Sequence, residues 1–326
     1  MNPERSDGRA PAPDQAPPFV WAESDEWIPP PPPELGATGT APGRRWTGAR
    51  VSAAIAGALI AGVAIGVPLG LLTRGSHPAT GTSPNSASAS AAAVQARALY
   101  MQALAATRGS AGFHYVSHST GGTVVQTIVG DAGQSGGRQV ITVAAAASTE
   151  QFTLVLIGGT VYFEGNVPAL EDQLGVPAAN AAALQDKWIS VSNQDGPYSV
   201  VAPGITVADQ AEETSLVPTS TTPIGTAGGT GAIRILGAVP PQQGAPRGTG
   251  HLDIATSTDL PISYVSAVSV NGVTATSTTT FSGWGTTAVV VAPTGAVAWS
   301  TLGASSPPGG YGNGGGGPSP SSTPQV

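Results

Sequence analysis

Two dipeptides constrain this chain more than any other feature: Gly158-Gly159 and Asn271-Gly272, each set between short runs rich in Val, Ile, Thr and aromatic residues. Both pairs accept the positive φ angles of a two-residue hairpin turn, so each commits its flanking runs to antiparallel pairing. Runs 151–157 and 160–164 flank the first, and runs 262–270 and 273–281 flank the second. Similar runs recur at 113–119, 124–130, 138–144, 231–239, 248–256 and 286–291, with a shorter one at 187–191. Strands joined so tightly point away from alternating βαβ units and toward one large antiparallel sheet.

Helical patterns occupy the gaps. In the Ala-rich stretch 87–108, Val94, Ala98, Met101 and Ala105 recur at helical spacing with Leu99 and Leu104 beside them, which predicts an amphipathic helix with that stripe turned inward. Residues 167–186 carry Leu170, Leu174 and Leu184, interrupted by Gly175 and Pro177, and 207–216 read as a further helix. The order helix, meander, helices, meander defines an α+β class. Strand 151–157 is apolar on both faces, with Phe152, Leu154 and Leu156 on one and Thr153, Val155 and Ile157 on the other. A strand with one wet face alternates with polar residues, so this one is expected to be covered on both sides. Either a curved sheet wraps helices around an apolar cavity, or a second layer packs there without one.

The chain has no cysteine, which excludes disulfides, thiolate metal sites, cysteine nucleophiles and lipidation at an N-terminal cysteine. Charged residues make up 10% of the chain, far below the ~25% usual for soluble domains. A net charge of -7, with basic residues clustered only just before residue 51, argues against a nucleic-acid partner.

Those basic residues frame a different feature. Residues 51–73 contain no charge, and 23 residues exceed the roughly 20 that cross a ~30 Å hydrocarbon core. Arg44, Arg45 and Arg50 precede the run and only Arg74 follows it, which places the N-terminus in the cytoplasm. The long segment before it favours an uncleaved signal anchor over a cleaved signal peptide. Gly62, Gly66 and Gly70 form a double G-x-x-x-G ridge, interrupted by Pro68. The expected organisation is a Pro-rich disordered tail at 1–50, a transmembrane helix at 51–73, a linker at 74–86, an extracytoplasmic domain at 87–302 and a Gly/Ser/Pro tail at 303–326. Within 1–43, Trp21 and Trp27 flank Glu23-Ser24-Asp25-Glu26 ahead of five consecutive prolines, a candidate docking motif for a cytoplasmic partner or an ordinary low-complexity tail.

Several motifs together resemble a family. A signal segment, an Ala-rich helix ending at Gly109-Ser110, the hairpin Gly158-Gly159-Thr160-Val161-Tyr162-Phe163, and Lys187-Trp188-Ile189 after a helical insertion are similar to actinobacterial LppX/LprG-type lipoproteins of the LolA-like superfamily. Gly250-His251-Leu252-Asp253-Ile254, Leu260-Pro261 and Phe281-Ser282-Gly283-Trp284-Gly285 extend the resemblance to about residue 302. The resemblance implies a half-barrel sheet wrapping helices, with a hydrophobic cavity for lipids, glycolipids or acylated proteins in transit through the envelope. This chain departs from the family in lacking a lipobox cysteine, so a transmembrane helix replaces the lipid anchor. The expected function is a membrane-anchored extracytoplasmic binding protein for an apolar ligand. Its alternative is an envelope interaction or sensor protein without a cavity. Across the Gly158-Gly159 hairpin, Phe152, Leu154, Leu156, Val161 and Phe163 are the candidate cavity wall.

Catalytic signals are weak. His114 and His118 share a strand face about 13 Å apart at ~3.3 Å per residue, too far for one metal ion. There is no Gly-x-Ser-x-Gly elbow, no phosphate-binding loop and no identifiable nucleophile for His251 and Asp253. Glu171-Asp172 and Glu212-Glu213 read as solvated surface. No enzyme, cofactor or metal is expected. Trp188, Trp284 and Trp299 are expected to fill core space with their N–H groups bonded to carbonyls.

Overall fold

The computed structural model describes residues 84–227, 230–240, 248–270 and 273–304. The N-terminal tail, the uncharged run 51–73, most of the linker, the end of the C-terminal tail and the pair Asn271-Gly272 lie outside the described residues. Among the described residues no helix is long and apolar enough to cross a membrane.

A long helix, α1 (Pro84–Gly109), leads into strands β1 (Gly112–Gly121), β2 (Val124–Gly133), β3 (Gly136–Ala144), β4 (Thr149–Ile157) and β5 (Thr160–Gly165). Short elements follow: α2 (Val167–Leu174), α3 (Ala178–Leu184), β6 (Ile189–Ser192), α4 (Tyr198–Val201) and α5 (Val207–Glu213). The second meander is β7 (Val217–Ala227), β8 (Thr230–Val239), β9 (Gly248–Ala255), β10 (Pro261–Val270) and β11 (Val273–Ser282), and the chain ends on β12 (Val297–Ala298) and a 3-10 turn at Trp299–Thr301. All strands form one open 12-stranded sheet in the order β12-β6-β5-β4-β3-β2-β1-β11-β10-β9-β8-β7. Every pairing is antiparallel except the two-residue contact of β12 with β6. A twisted sheet this wide curls rather than staying flat.

Local chemistry sets the element ends. Gly158 and Gly159 have φ of 56° and 80°, the doubly left-handed turn that the β4–β5 hairpin needs and that a side chain would strain. Val270 pairs with Val273, the register a two-residue connection demands. Asn166 caps α2 by accepting from the Ala169 N–H at 3.2 Å, and Gly175 closes it in the left-handed region. A reciprocal capping box starts α5: Thr206 Oγ1 accepts from the Asp209 N–H at 3.2 Å, and Asp209 Oδ2 accepts from the Thr206 N–H at 3.0 Å.

Three expectations need correction. The helix at 87–108 forms, but Val94, Ala98, Met101 and Ala105 of its predicted stripe face out, Val94 71% and Met101 53% exposed, and of that stripe only Leu104 and half-buried Leu99 turn inward. Its buried stripe is Ala96, Tyr100, Ala103, Leu104 and Thr107, because two alanines let the helix approach β7 and β8 while Tyr100 reaches inward. Residues 286–291 form no strand. They belong to a strap that leaves β11, passes Gly112 and Gly133 and reaches β6 at the far end of the sheet, and Val289 is 87% exposed. Finally, β7 is an unexpected edge strand. Its register shifts beside both Pro218 and Pro223, which an edge tolerates and a central strand does not.

Helices cover one face of the sheet, the inner face. There α1 packs on β7 and β8, α2 on β4, and α5 on β2. Two apolar clusters result. One joins β3–β6 to α2, α3 and α4, and the other joins α1 and α5 to β1 and β8–β11. Half-buried Ile128 touches both.

Candidate functional site: the inner face of the sheet

Strand register sorts the inner face into rows running across the strands. One row reads Ile189, Phe163, Leu154, Gln139, Gly130, Tyr115 and Phe281 from β6 to β11. The next reads Phe152, Ile141, Ile128, Ser117, Thr279, Tyr264, Leu252 and Ile235. A third is largely polar or small: Glu150, Val143, Gln126, Ser119, Ser277, Ser266, Gly250 and Gly237. The inner face is therefore apolar at its flanks and hydroxyl-rich in the middle.

The five candidate wall residues lie together on β4 and β5 and all point inward. Phe152, Leu154, Leu156, Val161 and Phe163 are each at most 7% exposed and belong to the cluster under α2. Phe152 and Phe163 stack at 5.1 Å and 13°. On the opposite face of the same strand Val155 is buried as well, though in neither cluster. By contrast, inward residues of the central strands, Ser117, Ser266, Val268, Ala275, Ser277 and Thr279, stay half-buried. The inner face thus has an opening over Ser117 and the adjoining parts of β10 and β11, between the two helical covers.

A buried polar network lies at one end of this opening, where sequence reasoning expected none. Tyr115 Oη donates to the Gly204 carbonyl at 3.0 Å and accepts from Gln139 Nε2 at 2.5 Å. Gln139 Nε2 and Gln210 Nε2 each donate to the same carbonyl at 2.7 Å, and Gln210 also donates to Glu213 Oε2 at 2.8 Å. Gly204 is required here: its φ is +82° and an added Cβ would sit 2.6 Å from Glu213 Oε1. Burial pushes the Glu213 carboxyl up to about 8, and the Gln210 hydrogen bond only partly opposes it. Burial likewise raises the Tyr115 phenol well above its ordinary value, with the Glu213 charge adding to it. So Glu213 is not the solvated carboxylate its sequence neighbourhood indicated. The one legible signal was Thr206-x-x-Asp209, which marks the helix that carries it.

The remaining singled-out residues are structural. His114 and His118 lie on the outer face, where His114 Nδ1 is 2.8 Å from Asp131 Oδ1 and His118 Nδ1 is 3.3 Å from Thr127 Oγ1. Arg234 binds Asp253 through two hydrogen bonds of 2.7 and 2.9 Å, and Ser263 donates to the same carboxylate at 3.0 Å. This holds Asp253 below its ordinary value despite burial, and the positive charge of Arg234 contributes too. Among the described residues no group of three or more His, Asp or Glu side chains converges as a metal site would require. Trp284 Nε1 donates to the Pro261 carbonyl at 3.0 Å and its ring lies 4.3 Å from Phe113, while Trp299 Nε1 donates to the Leu174 carbonyl at 2.9 Å. An open depression of about 300 Å³ also lies where the strap meets the β2–β3 and β4–β5 turns, lined by Gly133, Gln134, Gly136, Ile157 and Ala288 among others.

No protein-family profile matches this chain, and no curated protein is significantly similar to it. Solved structures do resemble it. LprF from Mycobacterium bovis is similar over 62% of this chain and 98% of its own, at 15% identity and a TM-score of 0.38. The Mycobacterium tuberculosis lipoprotein LppX is similar over 61% of this chain and 98% of its own, at 14% identity and a TM-score of 0.38. A DUF1329 family protein from Desulfovibrio piger follows at 10% identity and a TM-score of 0.20, over 58% and 92% of the two chains.

Proposed function

We propose that this chain is a membrane-anchored extracytoplasmic protein that binds a lipid, glycolipid or other apolar ligand in the cell envelope. The observation that carries the reading is the partial cover on the inner face: inward Ser117 of β1, Ser266 and Val268 of β10 and Ala275, Ser277 and Thr279 of β11 remain half-buried, while the apolar clusters to either side are buried. A half-covered stretch between two apolar clusters is where an acyl chain gains most, at roughly 0.8 kcal/mol per CH₂ removed from water. In this reading Phe152, Leu154, Leu156, Val161 and Phe163 form the apolar wall on the β4–β5 side. The uncharged run 51–73, with its arginine asymmetry, supplies the tether and sets the topology.

Filling this stretch tests the ligand. Val268→Trp, at a half-buried inward position, should cut uptake of a fluorescent diacyl lipid by the full-length protein at least tenfold while shifting thermal stability little. Undiminished uptake by a folded variant would refute the site. The close packing of the five wall residues favours a second reading, an interaction protein without a cavity that uses the Trp/Pro-rich tail at 1–43 for a cytoplasmic contact. That reading gains if the wild-type protein takes up no lipid. Topology has its own assay: alkaline phosphatase fused after Leu302 should be active, and an inactive fusion paired with an active cytoplasmic reporter would reverse the orientation.

A further inference from the structure

The polar row across the inner face contains one side chain whose hydrogen-bonding groups are unused among the described residues. Gln126 points inward from β2, between Val143 and Ser119 in register, and is 2% exposed. Among the described residues no hydrogen bond engages its side-chain amide and no fully enclosed side-chain N or O atom lacks a partner, so its residual accessible surface lies at the amide tip. An amide buried to that degree without a partner is destabilising, and native structures rarely keep one without a use.

Its neighbours in the row extend the pattern. Ser119 Oγ donates to Ser277 Oγ at 2.8 Å, which leaves the Ser277 hydroxyl proton without an acceptor among the described residues. One row away, Thr279 Oγ1 donates to Ser117 Oγ at 3.1 Å, and the Ser117 proton is free in the same way. The group therefore offers an amide donor, an amide acceptor and two hydroxyl donors to the opening. Charge is absent from it. His114, His118, Arg138, Arg234 and His251, the basic residues of the strands, all fall on the outer face by register, and the one acid of the row, Glu150, is occupied by Gln173 Nε2 at 2.7 Å.

We infer that Gln126, with Ser119 and Ser277 beside it, is an internal hydrogen-bonding station for an uncharged carbonyl or hydroxyl group of the ligand, such as an ester linkage, and that it selects neutral amphiphiles over anionic ones. The inference rests on the lipid-binding reading and specifies it. An ester carbonyl accepts from the Gln126 amide and the Ser277 hydroxyl, while its chains extend onto the apolar flanks. A phosphate at the same place would be desolvated with no Lys or Arg of the described strands to meet it, a heavy cost for a charge.

The test uses full-length protein in a nonionic detergent and three fluorescent probes: a diacylglycerol, a phosphatidic acid with the same chains, and a pyrenyl alkane with no polar group. Wild type should bind the diacylglycerol at least tenfold more tightly than the phosphatidic acid. Gln126→Leu should weaken diacylglycerol about fivefold, the equivalent of one neutral hydrogen bond. It should leave the pyrenyl alkane unchanged and melt at the same or a higher temperature, because it removes an unpaired buried amide. Ser119→Ala, a smaller change, should move diacylglycerol affinity in the same direction and serves if the leucine variant does not fold. Alkane binding with unaltered diacylglycerol affinity in the variants, or phosphatidic acid bound as tightly as diacylglycerol, overturns the station alone. A wild-type protein that binds none of the probes overturns the lipid reading with it.

Discussion

The Glu213 carboxyl keeps its proton because burial strips away the water that would solvate its charge. In the unfolded chain it titrates near its ordinary value of 4.5, and in the folded protein near 8. Between those values the native state holds the extra proton, so the stability this group contributes is complete below about pH 4.5 and is lost as pH rises toward 8. Hydrogen bonding to Asp131 raises the His114 pKa and adds a decline of the same sign at the upper end of that window. A difference measurement isolates the carboxyl: Glu213→Gln should match wild type near pH 5 and exceed it in urea midpoint at pH 8. Parallel curves for the two proteins across pH 5–8 would show that Glu213 is solvated after all. Gly204→Ala meets Glu213 from the other side, and its positive φ and the 2.6 Å approach should cost about 1–3 kcal/mol. Neither effect was legible in sequence. Glu212-Glu213 looks like any charged pair, and which carboxylate turns inward depends on where α5 meets β2, more than seventy residues earlier in the chain.

At the scale of elements, the sequence announced what local chemistry decides and hid what distant packing decides. The β4–β5 hairpin was legible because Gly158-Gly159 admits one turn, and the interruption between α2 and α3 was marked by Gly175 and Pro177. The face of α1 was not, because alanine reads as neutral in a periodicity count yet is the residue that lets a helix sit close on a sheet. At β7 the prolines that argue against a strand are tolerated by an edge, and only the sheet order reveals the edge. Residues 286–291 show the reverse error: β-branched residues favour a strand, but here no neighbour completes a ladder. The strap's anchoring should therefore depend on its end and not on its valines. Val289→Ser and Val291→Ser, at positions 87% and 77% exposed, should each change stability by less than about 0.5 kcal/mol. Trp299→Ala removes the bond to the Leu174 carbonyl and the ring packed on the cluster, and should cost about 2 kcal/mol in a denaturant titration. Equal effects from the three substitutions would mean that the strap is held along its length.

The whole molecule joins two meanders along a single seam, the pairing of β1 with β11 from His114↔Ser282 to Gly121↔Ala275. Each side of the sheet has its own apolar cluster, bridged by Ile128, the strap and the network around Gly204. Every buried member of both clusters lies between Ala96 and Tyr264 or at Phe281, and the packed residues that support them extend no further than Leu302. A chain of residues 84–304 therefore contains all the apolar surface these clusters use, and it should fold without the N-terminal segment or the C-terminal tail. It should also unfold as one unit, because separating the meanders exposes Tyr115, Phe281 and Tyr264 at the seam and breaks the shared carbonyl contacts of Gly204. Far-UV circular dichroism and tryptophan fluorescence should then give coincident urea transitions, with Trp299 reporting on one cluster and Trp284 on the other. Two separated transitions would show that the seam does not couple the clusters. A protein that aggregates when shortened to these residues, while the full-length form is folded, would place part of the core in the segments left out.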